Sequence, residues 1–167
     1  TESADKRHTL KVLSLDTDTG EILWTRTVHD GRVYDNRHRR NTYASPTVVT
    51  DGHYVYVYFG SQGVYCFDYE GNLVWTVDLG VILTWGHGHG ASPLLYENLL
   101  ILQCDQDEGD RSFLVALDKA TGREVWRTYR NTRLNYSSPI LVETRSRTEL
   151  VTSSYHVVIS YDPATGK

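Results

Sequence analysis

The sequence predicts an all-β chain, a segment of β-propeller made of four-stranded antiparallel blades. Three observations predict it. The pattern Asp, turn, Gly and, four residues after the Gly, Trp recurs with tryptophans at Trp24, Trp75 and Trp126, spaced 51 and 51 residues apart. A second landmark recurs between these: Ala44-Ser45-Pro46, Ala91-Ser92-Pro93 and Ser137-Ser138-Pro139. Finally, β-rich runs such as Val55-Tyr56-Val57-Tyr58-Phe59 and Leu99-Leu100-Ile101-Leu102 are separated by turn residues, and no segment sustains a helical period.

The elements follow in order. Residues 11–28 supply the last two strands of a partial blade, hinged at Asp16-Thr17-Asp18-Thr19-Gly20. Residues 44–79 and 91–129 supply two full blades, and residues 137–167 another partial one. Within a unit, strand A follows the Ser-Pro, B comes next, C ends at the Asp and D carries the Trp. Gly20, Gly71 and Gly122 give the turn its positive φ, and Asp16, Asp68 and Asp118 hydrogen-bond within it. The Asp68 copy is one residue shorter and has no Thr; a fourth copy runs Tyr161-Asp162-Pro163-Ala164-Thr165-Gly166-Lys167. One blade leaves its faces bare, so a large ring at a fixed place assigns Trp24, Trp75 and Trp126 to packing between blades.

Bulk properties narrow the function classes. Hydrophobic residues make up 40% of the 167, enough for a core, and the net charge of −4 argues against nucleic acid as partner. No apolar run approaches the ~18 residues of a membrane span. Cys66 and Cys104 are too few for a disulfide framework and sit in apolar alternating runs, which predicts buried free thiols. No signal peptide is visible and the chain opens on Thr1, so the termini do not reveal a compartment.

The segment Ala116-Leu117-Asp118-Lys119-Ala120-Thr121-Gly122-Arg123-Glu124-Val125-Trp126 resembles the tryptophan-docking motif of the pyrroloquinoline-quinone (PQQ) propeller repeat. In that family the Trp of one blade packs on the Gly-containing turn of the next, and the resemblance spans almost the whole chain. It implies two functional groups: quinoprotein dehydrogenases, which use PQQ and calcium, and non-catalytic propellers, including outer-membrane-protein assembly lipoproteins. It also implies a periplasmic or extracellular location. The strand count predicts a segment of a larger propeller, or else self-association through open blade edges.

Strand alternation places the D-to-A connections (29–43, 80–90, 130–136) and the B-to-C connections (60–63, 105–112, 154–156) on one face. Arg37, Arg39 and Arg40, with Arg32 and His38, suit an anion or an acidic protein surface. His87 and His89, two apart in Trp85-Gly86-His87-Gly88-His89-Gly90, are expected to point the same way as a candidate metal pair that needs further ligands. Arg133 and Asn135 complete the candidate partner face. Asp105, Asp107 and Asp110 offer hard oxygens for calcium, although their order departs from the usual calcium loop. Ser45, Ser92 and Ser138 belong to the repeat, and no nucleophile elbow is present.

The expected function is therefore a non-catalytic binding scaffold whose partner, a protein or envelope component, docks on the loop face. No cofactor is expected; PQQ and calcium enter through the resemblance alone. One alternative is part of a PQQ-dependent dehydrogenase, against which Cys66 and Cys104 are not adjacent as that group often requires. Another is a carbohydrate or small-molecule sensor using His87, His89, Arg39 and Tyr136.

Overall fold

The computed structural model describes residues 7–34 and 37–167. Strands β1 (Arg7–Leu15) and β2 (Ile22–Arg32) form a hairpin. Strands β3 (Val49–Thr50), β4 (Tyr54–Tyr58), β5 (Val64–Asp68) and β6 (Leu73–Val77) form a second sheet in sequence order. Strands β7 (Leu94–Tyr96), β8 (Leu99–Cys104), β9 (Phe113–Asp118) and β10 (Glu124–Tyr129) form a third, and β11 (Ile140–Glu143), β12 (Thr148–Ser154) and β13 (Val157–Tyr161) a fourth. All pairings are antiparallel between sequence neighbours. The chain is all-β and a partial propeller of four-stranded blades.

Two details differ from the sequence reading. The first hairpin reaches from Arg7 to Arg32 rather than over 11–28, because the pairing continues to Arg7↔Arg32 through two register shifts and is tied by the Arg7–Asp30 ion pair at 2.9 Å. Strand A of the second sheet is only two residues, Val49↔Tyr56 and Thr50↔Val55. Pro46 has no N–H for a ladder, so pairing begins beyond it.

Each C-to-D turn is built on its carboxylate. Asp16 Oδ1 accepts from the Asp18 and Thr19 N–H groups at 3.0 and 2.8 Å, and Asp118 Oδ1 from the Thr121 N–H at 2.9 Å. In the shorter turn Asn72 takes the place of the Thr, donating its N–H to Asp68 Oδ1 at 2.7 Å. These bonds hold all three carboxyls below the usual carboxylate range. A register shift follows in every one of the three hairpins, at Ser14/Leu15, Cys66/Phe67 and Glu124/Trp126. Such a bulge re-aims the next side chains and increases the local twist.

The tryptophan then crosses to the next sheet. The indole N–H of Trp24 donates to the Tyr69 carbonyl at 2.8 Å, that of Trp75 to Lys119 at 3.0 Å and that of Trp126 to Pro163 at 3.2 Å. In each case the acceptor is the residue after the turn Asp. A Cβ on Gly71, Gly122 or Gly166 would stand 2.7, 2.9 or 2.5 Å from the indole above it, and each glycine has a positive φ besides. Glycine is required there twice over, by conformation and by contact.

Between the second and third sheets the core holds Tyr56, Tyr58, Val64, Cys66, Trp75, Leu100, Leu102, Cys104, Val115 and Leu117. Smaller clusters lie on either side, around Leu10, Val12, Val57 and Phe67, and around Leu99, Ile101, Leu114 and Leu150. Both cysteines are free and buried, and burial first of all pushes each thiol up to about 12, which leaves them inert. The repeated serines tie the innermost segments: Thr47 N–H donates to Ser92 Oγ and Ser92 N–H to Ser138 Oγ, both at 2.8 Å. At the opposite end of the blades, Lys119 Nζ reaches Asp51 Oδ2 at 2.9 Å.

Candidate functional site

The loops between strands D and A and between B and C line several clefts, an inner and an outer one among them. The inner cleft, of about 340 Å³, is lined by His38, Asn41, His87 and Tyr136, from the D-to-A loops of three successive sheets. The Asn41 side-chain amide donates to the His87 carbonyl at 2.7 Å, which ties the first of these loops to the second. The His87 ring stands 6.3 Å from His38 and edge-on to Tyr136 at 6.4 Å.

The outer cleft, of about 140 Å³, is lined by Trp85, Asp107, Arg133, Leu134 and Tyr155. These come from the D-to-A loops of the second and third sheets and the B-to-C loops of the third and fourth. The Trp85 N–H donates to an Asp107 carboxylate oxygen, and the Asp107 N–H donates to the Leu83 carbonyl at 3.1 Å. That double tie aims the indole outward, and Trp85 is 68% exposed. Tyr155 is 60% exposed and packs against His156 with ring centroids 3.9 Å apart. Trp85 has φ +50° and His156 φ +73°. Left-handed backbone at non-glycine residues costs energy and gathers at binding sites.

The sequence-selected residues divide accordingly. His87 enters the inner cleft and Arg133 the outer one. His89 does not join His87: its ring lies over Gly60 and 5.9 Å from Tyr58, so the two histidines leave the backbone toward different neighbours. The intervening Gly88, at φ +85°, breaks the extended alternation that the expectation of a common direction assumed. Arg37 folds back onto the His38 and Asn41 carbonyls and the Tyr43 ring, whereas Arg39 and Arg40 are exposed. Asn135 is a tie, donating to Ser153 Oγ at 3.1 Å and accepting the Ser137 N–H at 2.9 Å.

The three aspartates diverge. The Asp105 side chain is fully buried, 3.4 Å from the equally buried Arg130 Nε, and accepts from Gln103 Nε2 at 2.7 Å. Asp107 serves the Trp85 backbone, and Asp110 is exposed in the short 3-10 turn Gly109–Arg111. Burial raises the Asp105 carboxyl to about 6, against the opposing pull of Arg130 and Gln103. The Arg130 contact is long and lacks hydrogen-bond geometry, which is why burial prevails. Among the described residues no group of three or more His, Cys, Asp and Glu gathers as a metal site. A PQQ and calcium seat is not composed by these residues either, since Cys66 and Cys104 are buried on separate strands and the acids point apart.

Sequence reasoning did not select Trp85, Leu134 or Tyr155. One signal was available for the first: Trp85 is the tryptophan that falls off the 51-residue spacing. Leu134 and Tyr155 carry no local signal and are brought in by the packing of separate loops.

The family described as outer membrane protein assembly factor BamB matches residues 8–167. The chain belongs to that family. Among solved structures this BamB-family chain is similar to BamB from Moraxella catarrhalis, with 21% identity, a TM-score of 0.57 and coverage of 91% of this chain and 40% of that one. It is also similar to the quinohemoprotein alcohol dehydrogenase from Comamonas testosteroni, with 21% identity, a TM-score of 0.56 and coverage of 79% and 20%. A europium-containing methanol dehydrogenase matches with 18% identity, a TM-score of 0.52 and coverage of 74% and 22%. At these identities the likeness is one of fold. The chain spans 40% or less of each of those structures. No curated protein matches it. Among the described residues no helix is long and apolar enough to cross a membrane.

Proposed function

We propose that this BamB-family chain is a non-catalytic propeller scaffold that docks an acidic protein segment on its loop face, at the cell envelope. The observation that carries the reading is the outer cleft, whose lining combines Arg133 with two largely exposed aromatic side chains, Trp85 and Tyr155. Exposed aromatics beside an arginine are the composition of protein-binding hot spots. The basic side chains that could meet an acidic segment are Arg39, Arg40 and Arg133, which stand exposed on this face together with the acids Glu108 and Asp110. Envelope location is supported by the family's description as an outer membrane protein assembly factor. The scaffold reading is supported by the fate of the cysteines and acids, which serve the core, the turns and the loops.

Photo-crosslinking tests it. A photoreactive phenylalanine at Tyr155 or Arg133 is expected to trap one protein partner in envelope extracts, and the same group at His53, on the opposite turns, is expected to trap none. Equal trapping at all three positions would overturn docking on the loop face. Uptake of PQQ with calcium, seen as added mass in native mass spectrometry, would overturn the non-catalytic reading.

A further inference from the structure

The buried pair Asp105–Arg130 stands at the root of the outer cleft. Asp105 follows β8 and opens the loop 105–112, whose Asp107 accepts the Trp85 N–H. Arg130 follows β10 and opens the loop 130–136, which brings Arg133 and Leu134 to the cleft. Arg130 Nη1 also donates to Thr152 Oγ1 at 3.0 Å, on the strand that leads to Tyr155. Beside the pair, Ser112 staples the first two loops together. Its Oγ accepts the Gln106 N–H at 2.9 Å and donates to the Thr132 carbonyl at 2.7 Å, and its carbonyl accepts the Arg130 N–H at 2.9 Å. Two loops of the cleft thus start at one desolvated ion pair, and a third is reached through Thr152. The pair itself is imperfect. Asp105 Oδ1, Arg130 Nε and Arg130 Nη2 make no hydrogen bond among the described residues. A buried pair with so few bonds gains little from its attraction against the cost of desolvation. It is therefore poised between two states, one with both groups charged and one with Asp105 neutral and Arg130 unopposed. An unopposed buried guanidinium is unstable where it stands, and moving it toward water moves the loop it opens.

We infer that this pair is the lock of the outer cleft: with both groups charged it holds the loops of Trp85, Arg133 and Tyr155 together, and a proton on Asp105 releases Arg130 and lets them part. The proton relieves a desolvated carboxylate, so the same event that steadies the packed sheets frees the loops above them. Burial, against Arg130 and Gln103, raises the Asp105 carboxyl to about 6, which sets where the lock turns. It is closed above that value and opens as pH falls through it. Other ionisable groups surround the pair. Tyr58 of the second sheet and Cys104 of β8 face Asp105, and burial first of all pushes both far above neutrality. Tyr161 of the fourth sheet has Arg130 at 5.9 Å from its ring, and Asp107 is turned to Trp85. Two histidines stand further out, His89 at 5.9 Å from the Tyr58 ring and His156 against Tyr155. That the lock governs a partner rests on the cleft being a docking site, whereas the lock itself is tested on the chain alone.

The intact chain, labelled throughout with fluorinated tryptophan, is titrated from about pH 4.5 to about 7.5 and followed by fluorine NMR, with the Trp85 signal identified by Trp85→Phe. That signal is expected to move with a midpoint near 6, while those of Trp24, Trp75 and Trp126, docked at the other end of the blades, hold still. In Asp105→Asn, neutral at every pH, the movement should vanish and the Trp85 signal should rest at its wild-type acid position even at about pH 7.5. Unmoved Trp75 and Trp126 signals show that variant to be folded. Gln103→Met keeps the acid and removes a donor that favours its charged form, so the midpoint should rise by roughly half a unit or more. A Trp85 signal that does not move near 6 overturns the lock, as does a midpoint that Gln103→Met leaves in place. So does a movement that survives Asp105→Asn, since His89 or His156 would then be its source. Each of these outcomes stands whether or not crosslinking at Tyr155 traps a partner, so the lock and the docking reading fail separately.

Discussion

The second and third sheets meet through hydrocarbon and rings, while the third and fourth meet around a charge. In the first interface Tyr56, Trp75, Leu100, Leu102 and Leu117 are buried together; Tyr58 Oη lies 3.5 Å from Cys104 Sγ, and at the edge the Trp75 indole meets the Lys119 carbonyl and Lys119 meets Asp51. In the second, a smaller apolar cluster is joined by Arg130, which donates to Thr152 Oγ1 at 3.0 Å, lies 5.9 Å from the Tyr161 ring and faces Asp105. The same repeat thus makes two kinds of joint. One depends mainly on area and shape, with its charged pair, Lys119 and Asp51, at the edge. The other depends on two desolvated charges and answers to both pH and the loss of either partner.

The comparison breaks most clearly on the indole. Trp75→Ala opens a cavity in the apolar joint and removes the bond to Lys119, and is expected to cost about 3–5 kcal/mol in chemical denaturation. A loss below about 1 kcal/mol would mean that the joint re-collapses. Arg130→Met is expected to cost about 3–5 kcal/mol near neutral pH, because Asp105 is left buried without its counter-charge, and adding Asp105→Leu should restore most of that. If the double variant is no better than the single, the arginine acts by shape and the contrast fails.

Acid titration sharpens the difference further. The folded Asp105 carboxyl, at about 6, sits above its unfolded value, so its contribution is complete below ~4 and is lost as pH rises to about 6. The turn carboxyls of Asp16, Asp68 and Asp118 are lowered, so theirs is present above the ordinary carboxylate value and lost as pH falls below it. Urea midpoints measured against pH should therefore lose their slope between ~4 and 6 in Asp105→Asn, and should keep a shallower slope below ~4 in Asp118→Asn, where Asp16 and Asp68 still titrate. The smallest effect is expected at the half-screened Lys119–Asp51 pair, where Lys119→Met should cost about 0.2–1 kcal/mol, less at high salt. A cost of several kcal/mol there would make the apolar joint electrostatic after all.

How far the sequence reads depends on whether a feature repeats. Trp24, Trp75 and Trp126 recur at one spacing, and from them the blade, its strand order and its turn chemistry are legible. Ser92 and Ser138 are legible as structural for the same reason, although their use as ties between neighbouring sheets needs the third dimension. The clefts are different. Trp85, Arg133 and Tyr155 lie on three loops that share no spacing, and their meeting is fixed by how the sheets stack. His87 and His89 show the opposite failure: a local rule for extended chain does not hold across Gly88 at positive φ. Asp105 reads as a loop acid in the sequence because its partner, Arg130, lies a whole hairpin away.

The indole contacts also set an order of events at the ribosome. Trp24 is made 45 residues before the Tyr69 carbonyl that receives it, Trp75 44 residues before Lys119, and Trp126 37 residues before Pro163. Every sheet therefore emerges before the turn that receives its outer strand, and it stays open on that side until the next hairpin has been synthesised. During synthesis, therefore, each joint can close only after the one before it has become able to, and a pause in translation leaves the newest indole without its acceptor turn.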